Sequence, residues 1–156
     1  MTIPVFVESV RINLATSTRV VLLKDAKIER YLLIHIGEWE SYAIAVELQG
    51  HKSARPLTHD LLNNILDKLD ARVTSVVVHS LRDDVFFASI FLEQGEKKLE
   101  IDARPSDAIA LAVRCDAPIF VEEPVFDQAG LRVSTRDEEE EDRLSVFRDF
   151  VNQLEF

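Results

Sequence analysis

The sequence predicts an α+β fold: a mixed, largely antiparallel sheet packed with buried helices, followed by a C-terminal amphipathic helix. Three observations carry that expectation. Strand-like runs precede the first helical pattern, further runs are joined by short turns, and helical segments rich in small apolar residues stand among them. The length of 156 residues is that of one domain able to bury a sizeable core.

Val5, Val7, Val10, Ile12 and Leu14 stand beside polar neighbours, followed by Val20–Leu23 and by Tyr31–Ile34 with Ile36, and these read as strands. Met1–Leu14 contains Glu8 and Arg11 and lacks an uninterrupted apolar run, so it reads as part of the fold and not as a secretion signal. From Gly37 to Leu48 the residues Trp39, Tyr42, Ala43, Ile44, Ala45, Val46 and Leu48 are apolar nearly all round, which predicts a buried helix stopped at Gly50.

Thr58 is a good N-cap for the next helix, with Asp60 in the first turn where a carboxylate suits the helix dipole. Its expected core stripe is Leu61, Leu62, Ile65, Leu66 and Leu69. Val73 and Val76–Val78 then form a strand, Arg82-Asp83-Asp84 turns the chain, and Val85 to Leu92 returns it. After a turn at Gly95-Glu96, Leu99, Ile101 and Ala103 alternate with Lys98, Glu100 and Asp102, giving one core face and one polar face.

Pro105 suits a helical first turn because its missing N–H needs no partner there, Asp107 follows near the positive end of the dipole, and Ala108–Val113 reads as a buried helix. Pro118–Val121 reads as a short strand, and Glu123-Pro124 opens a loop or short helix ending near Gly130. Leu144, Val146, Phe147, Phe150, Val151 and Leu154 recur at helical spacing after the acidic run Asp137–Asp142. The chain thus divides into a domain at 1–133 and an acidic linker with a helix at 134–156. The run reads as a solvated, dipole-favoured helix start in preference to a metal-binding tract. Ser41–Ala45 echoes Ser106–Ala110, either from duplication of a strand–helix unit or from convergence on a small-residue helix.

The net charge of −10 argues against a broad nucleic-acid-binding surface, which needs clustered Lys and Arg. Residues 136–156 hold eight acids and three bases, leaving 20 acids and 15 bases for the rest, so any polyanion must find a local patch or a bridging cation. The single Cys115 cannot form an intrachain disulfide. No run approaches the roughly 18 apolar residues of a membrane-spanning helix. Together these predict a soluble cytoplasmic protein.

Familiar catalytic patterns are missing: there is no phosphate-cradling glycine loop, with only four Gly in the chain, no paired-histidine zinc motif and no nucleophile elbow. Two polar corners remain, Lys52, Arg55, Thr58, His59 and Asp60 on one side and Glu100, Asp102, Arg104, Ser106 and Asp107 on the other. Helix N–H donors suit phosphate, and converging carboxylates suit a hard divalent cation that activates water, which is nuclease chemistry. Residue types alone favour the plainer reading, in which Thr58 and Asp60 cap, Arg104 pairs with an acid and His59 is exposed. His35, His79 and Cys115 read as packed structural residues.

At these corners the sequence resembles the bifunctional nuclease domain family. The resemblance rests on Arg55-Pro56-Leu57-Thr58-His59-Asp60-Leu61-Leu62, on Asp84-Val85-Phe86-Phe87-Ala88, and above all on Ile101-Asp102-Ala103-Arg104-Pro105-Ser106-Asp107-Ala108-Ile109-Ala110-Leu111-Ala112. It extends from about Val5 to Leu131. It implies a compact α+β fold, homodimers, and a nuclease acting on both DNA and RNA. One departure is Phe87, where many relatives have Tyr, so a hydroxyl is lost. On this resemblance His59, Asp60, Asp102 and Asp107 form the expected catalytic set. Asp60, Asp102 and Asp107 are the expected ligands of Mg²⁺ or Mn²⁺, and Arg55, Thr58, Arg104 and Ser106 the expected substrate contacts. The rival expectation is a dimeric, non-enzymatic module that binds protein or RNA and offers its tail helix to a partner.

Overall fold

The computed structural model describes residues 1–132 and 146–151. Among the described residues there are eight strands: β1 (Thr2–Asn13), β2 (Thr18–Asp25), β3 (Arg30–Ile36), β4 (Ala71–Arg82), β5 (Val85–Gln94), β6 (Lys97–Ala103), β7 (Ile119–Glu122) and β8 (Leu131–Arg132). They form one sheet in the order β6-β5-β4-β7-β1-β2-β3-β8. Among them lie α1 (Glu38–Leu48), α2 (Thr58–Lys68), α3 (Pro105–Cys115) and α4 (Glu123–Ala129), and residues 146–151 are also helical. The α+β expectation holds.

Local chemistry explains the two meanders, β1-β2-β3 and β4-β5-β6. The β4–β5 hairpin closes with Arg82 opposite Val85, and the two residues between them, Asp83 and Asp84, have φ of 50° and 62°. Two consecutive left-handed residues match the right-handed twist of a hairpin, and Asp tolerates that region better than most side chains. Gly95, at φ 62°, serves the turn into β6 without a Cβ penalty. The meanders are joined by β7, which runs antiparallel to β1 and parallel to β4. That parallel pairing follows from the α3 crossover, which returns the chain in the direction of β4.

The core lies between sheet and helices. Val76, Val78, Ala88 and Ile90 face Ala108, Ile109 and Ala112 of α3, while Val21, Leu23, Leu32 and Ile34 continue it beside Ile44 of α1. α1 and α3 pack on each other, and the alanines on both permit a close approach. A polar clamp fixes the opposite end of the sheet. Buried Arg30 donates to Asp25 Oδ2 at 2.8 Å and to Glu123 Oε1 at 2.8 Å, with its guanidinium 4.2 Å from the centre of the Phe126 ring.

Several expectations are corrected here. The residue that caps α2 is Leu57, and Thr58 is the first helical residue, because Asp60 turns back to accept the Leu57 N–H at 2.9 Å and takes over the capping role. Leu61, Leu62, Ile65 and Leu69 do not form a core stripe: Leu61 is 52% and Leu69 57% exposed, and only Leu66 packs against the core. The helix turns His59 inward and leaves most of its apolar stripe exposed. On α1, Ser41 and Ala43–Val46 are buried, but Trp39, Tyr42 and Leu48 are exposed. The acidic run Asp137–Asp142, Leu144, Leu154 and the boundary after residue 133 lie outside the described residues. Within 146–151, Phe147 packs on Tyr31 of β3 with ring centres 5.3 Å apart. No helix among the described residues is long and apolar enough to cross a membrane.

Candidate active site

Two helix starts meet. His59 is the second helical residue of α2 and Asp107 the third of α3, and His59 Nε2 lies 3.0 Å from Asp107 Oδ1. A carboxylate oxygen accepts, so in this contact the imidazole Nε2–H donates. The His59 Nδ1 is buried with no partner among the described residues. The Asp107 second oxygen accepts from Arg104 Nε at 3.0 Å and lies 2.9 Å from Nη2, and Arg104 Nη2 also pairs with Glu40 Oε1 of α1 at 3.0 Å. His59, Asp107, Arg104 and Glu40 thus form one continuous chain.

Exposure rises from the His59 side chain, 7% exposed, through Asp107 at 32% to Arg104 at 65%, and falls again at Glu40. Asp107 and Arg104 are the members open to a ligand. The chain opens on a cavity of about 510 Å³, whose walls also include Trp39, Tyr42, Pro56 and Thr58. Asp107, accepting from Arg104, holds its guanidinium above the usual arginine range, so the cation persists at every physiological pH.

Asp60 takes a different direction. Its Oδ1 accepts from Arg114 Nε at 2.8 Å, and Arg114 Nη1 donates to the Ala110 carbonyl at 2.8 Å. Burial alone would raise the Asp60 carboxyl, but the Leu57 N–H and the Arg114 guanidinium outweigh it and hold it below the usual range. α2 is thereby tied to both ends of α3, through His59 to its first turn and through Asp60 to its last. Asp60, Arg55 and Arg114 line a second cavity of about 400 Å³, which shares Pro56 and Leu57 with the first.

The expected residues therefore fall into groups. His59, Asp107, Arg104 and Thr58 come together at the larger cavity, whereas Asp60 and Arg55 face the neighbouring one. Ser106 is buried at the start of α3. Asp102 is exposed on β6, opposite Ser89, and lines neither cavity. His59 is buried, contrary to the plainer sequence reading. Asp60 and Asp107 have both oxygens engaged, and no group of three His, Cys, Asp or Glu with metal-binding geometry occurs among the described residues. The residues as arranged do not fit a preassembled divalent cation site.

Sequence reasoning missed Glu40, Trp39, Tyr42 and Arg114. Only the echo of Ser41–Ala45 in Ser106–Ala110 hinted that α1 and α3 belong to one layer. Phe87 lies under the Arg82 guanidinium, 4.1 Å from ring centre to Cζ, and lines neither cavity, so the missing hydroxyl is not lost from this site. Cys115 donates to the Leu111 carbonyl at 3.1 Å, and burial pushes its thiol up, as expected of a packed residue.

Residues 21–134, which contain both helix starts, match the family model of the bifunctional nuclease domain. The chain belongs to this family. An uncharacterized protein of Mycobacterium tuberculosis is 36% identical over 154 residues, covering 95% of this chain and 92% of the relative. Bifunctional nuclease 2 of Arabidopsis thaliana is 31% identical over 124 residues, 78% of this chain and 38% of the plant protein. Bifunctional nuclease 1 of Oryza sativa subsp. japonica is 25% identical over 117 residues, 73% of this chain and 35% of its own length. This chain thus aligns with about a third of the longer plant polypeptides and with most of the mycobacterial relative.

Proposed function

We propose that this bifunctional nuclease domain cleaves phosphodiester bonds of DNA and RNA in the cavity between α1, α2 and α3, as a cytoplasmic homodimer. The observation that carries the reading is the contact chain from buried His59 through Asp107 to exposed Arg104. Arg104 binds the non-bridging oxygens of the phosphate and offsets charge that grows as the attacking oxygen bonds to phosphorus. Asp107 takes the proton from that oxygen, which belongs to water or to the 2′-hydroxyl of RNA. The bond from phosphorus to the leaving nucleoside oxygen breaks, and that oxygen is protonated from solvent. His59 is a positioning residue: its Nε2–H fixes the Asp107 carboxylate, and its buried Nδ1 does not face the substrate.

Cleavage of end-labelled RNA and DNA by purified protein tests the reading. Arg104→Ala is expected to lower the rate about a hundredfold while the protein stays folded. Equal cleavage by wild type and variant would assign the activity elsewhere. The same assay in EDTA tests the expectation of Mg²⁺ or Mn²⁺. A cation reaching Asp107 would have to displace Arg104 or His59, so RNA cleavage is expected to persist in the chelator. Its complete loss would restore the metal as the activating group.

The homodimer draws its support from α2. Leu61, Ile65 and Leu69 recur at intervals of four, forming a ridge of the kind that interdigitates with a second helix, and monomers seldom leave such a ridge in water. A two-fold axis lays α2 against its copy. Ile65→Glu is expected to convert the dimer to monomer in sedimentation, and an unchanged mass would contradict this contact. The same ridge, with His59 buried in a paired network, favours the second reading, a dimeric interaction module without catalysis. Folded wild-type protein that cleaves neither RNA nor DNA would establish that alternative.

A further inference from the structure

We propose that the site takes single-stranded nucleic acid, with one base stacked on Trp39 and successive phosphates lodged in the two adjoining cavities. The inference rests on the nuclease reading of the same site and names its substrate class. Trp39 is 76% exposed, and with Tyr42 it forms the α1 wall of the cavity that holds Arg104 and Asp107. An aromatic face beside a phosphate-binding arginine is the pairing by which strands without sequence preference are held. Only an unpaired base can leave its neighbours to stack there.

The second cavity supplies the continuation. Lys52, Arg55 and Arg114 line it, against Glu47 and an Asp60 already neutralised by Arg114. In a chain of net charge −10 this is a local positive excess. The Arg114 side chain is 3% exposed, held by Asp60 and the Ala110 carbonyl, and its Nη2 makes no hydrogen bond among the described residues. It is a fixed donor, set without the ordering cost of a surface arginine. Because the two cavities share Pro56 and Leu57, a strand leaving the Arg104 phosphate crosses these residues to reach it. A duplex has no base free for Trp39, and two cavities cannot replace the wide basic face it requires.

Trp39 is the single tryptophan, so its fluorescence reports this wall alone. The probe is a phosphorothioate oligodeoxyadenylate of about 10 nucleotides, within the site size of single-strand binders. The single strand is expected to quench Trp39 saturably, and a hairpin duplex of the same backbone to leave it unchanged. By fluorescence anisotropy of labelled probe, Trp39→Ala is expected to weaken binding about tenfold to a hundredfold. Lys52→Ala with Arg55→Ala is expected to weaken it and flatten its salt dependence. Equal quenching by duplex, or affinity indifferent to the paired Lys52 and Arg55 substitutions, overturns the proposal. So does Trp39 emission that answers to protein concentration and not to oligonucleotide, which places Trp39 against a second copy. Quenching without cleavage of ordinary RNA supports the strand assignment and removes the nuclease reading; cleavage without quenching overturns the strand assignment alone.

Discussion

Replacing Asp107 by Asn is expected to reduce phosphodiester cleavage by about 10²–10⁴, the usual contribution of a general acid or base. Asn preserves the shape of the side chain, and its carbonyl oxygen still accepts the His59 Nε2–H that lies 3.0 Å away in the wild type. What it loses is the capacity to take a proton and the charged pairing with Arg104 at 2.9 Å. The test is the single-turnover rate on labelled RNA, with circular dichroism as the control for folding. His59→Gln separates positioning from chemistry, because a group acting through Asp107 leaves residual turnover above that of Asp107→Asn. Asp107→Asn with wild-type rate would show that the carboxylate has no chemical role.

The second large effect concerns stability. Arg30→Ala is expected to cost about 3–5 kcal/mol, the usual consequence of removing one partner from a buried ion pair and stranding the other. Here the stranded group is Asp25, whose side chain is buried with that of Arg30. The cation–π contact with Phe126 disappears as well. Burial would raise the Asp25 carboxyl, but the Lys27 N–H and Arg30 together hold it below its ordinary value. A depressed carboxylate stabilises the fold fully above its unfolded pKa of about 3.9, and the contribution fades as pH falls through the lower folded value. Urea unfolding should therefore separate wild type from Arg30→Ala widely at neutral pH and bring them together in acid. A constant difference across that range would mean that packing, not charge, carries the effect.

These effects bear on what a sequence can express. Strands and hairpins were legible because side-chain alternation and turn residues are local: Asp83 and Asp84 sit between paired Arg82 and Val85 as expected. The place of β7 was not, since its position between β4 and β1 depends on the route of α3 rather than on any property of Ile119–Glu122. The apolar stripe of α2 was visible, but its destination was not. Leu61, Ile65 and Leu69 present the same period whether they pack on their own sheet or on another molecule.

The site was half legible for a similar reason. Thr58-His59-Asp60 and Arg104–Asp107 marked two polar helix starts, and those starts do meet. Helix-start chemistry alone could not tell that His59 turns inward to Asp107 while the adjacent Asp60 turns to Arg114. Glu40 and Arg114 carried no signal, because a charged residue in a first or last helical turn is ordinary. Asp102, although inside the longest stretch of family resemblance, remains on an exposed strand face.

Binding at the junction of α1, α2 and α3 is best tested by following backbone amide resonances of isotopically labelled protein while a phosphorothioate oligonucleotide is added. Saturable shifts centred on Thr58, His59, Arg104 and Asp107 are the predicted result. Shifts confined to the exposed face of β6 around Asp102, with those four signals unmoved, would contradict it.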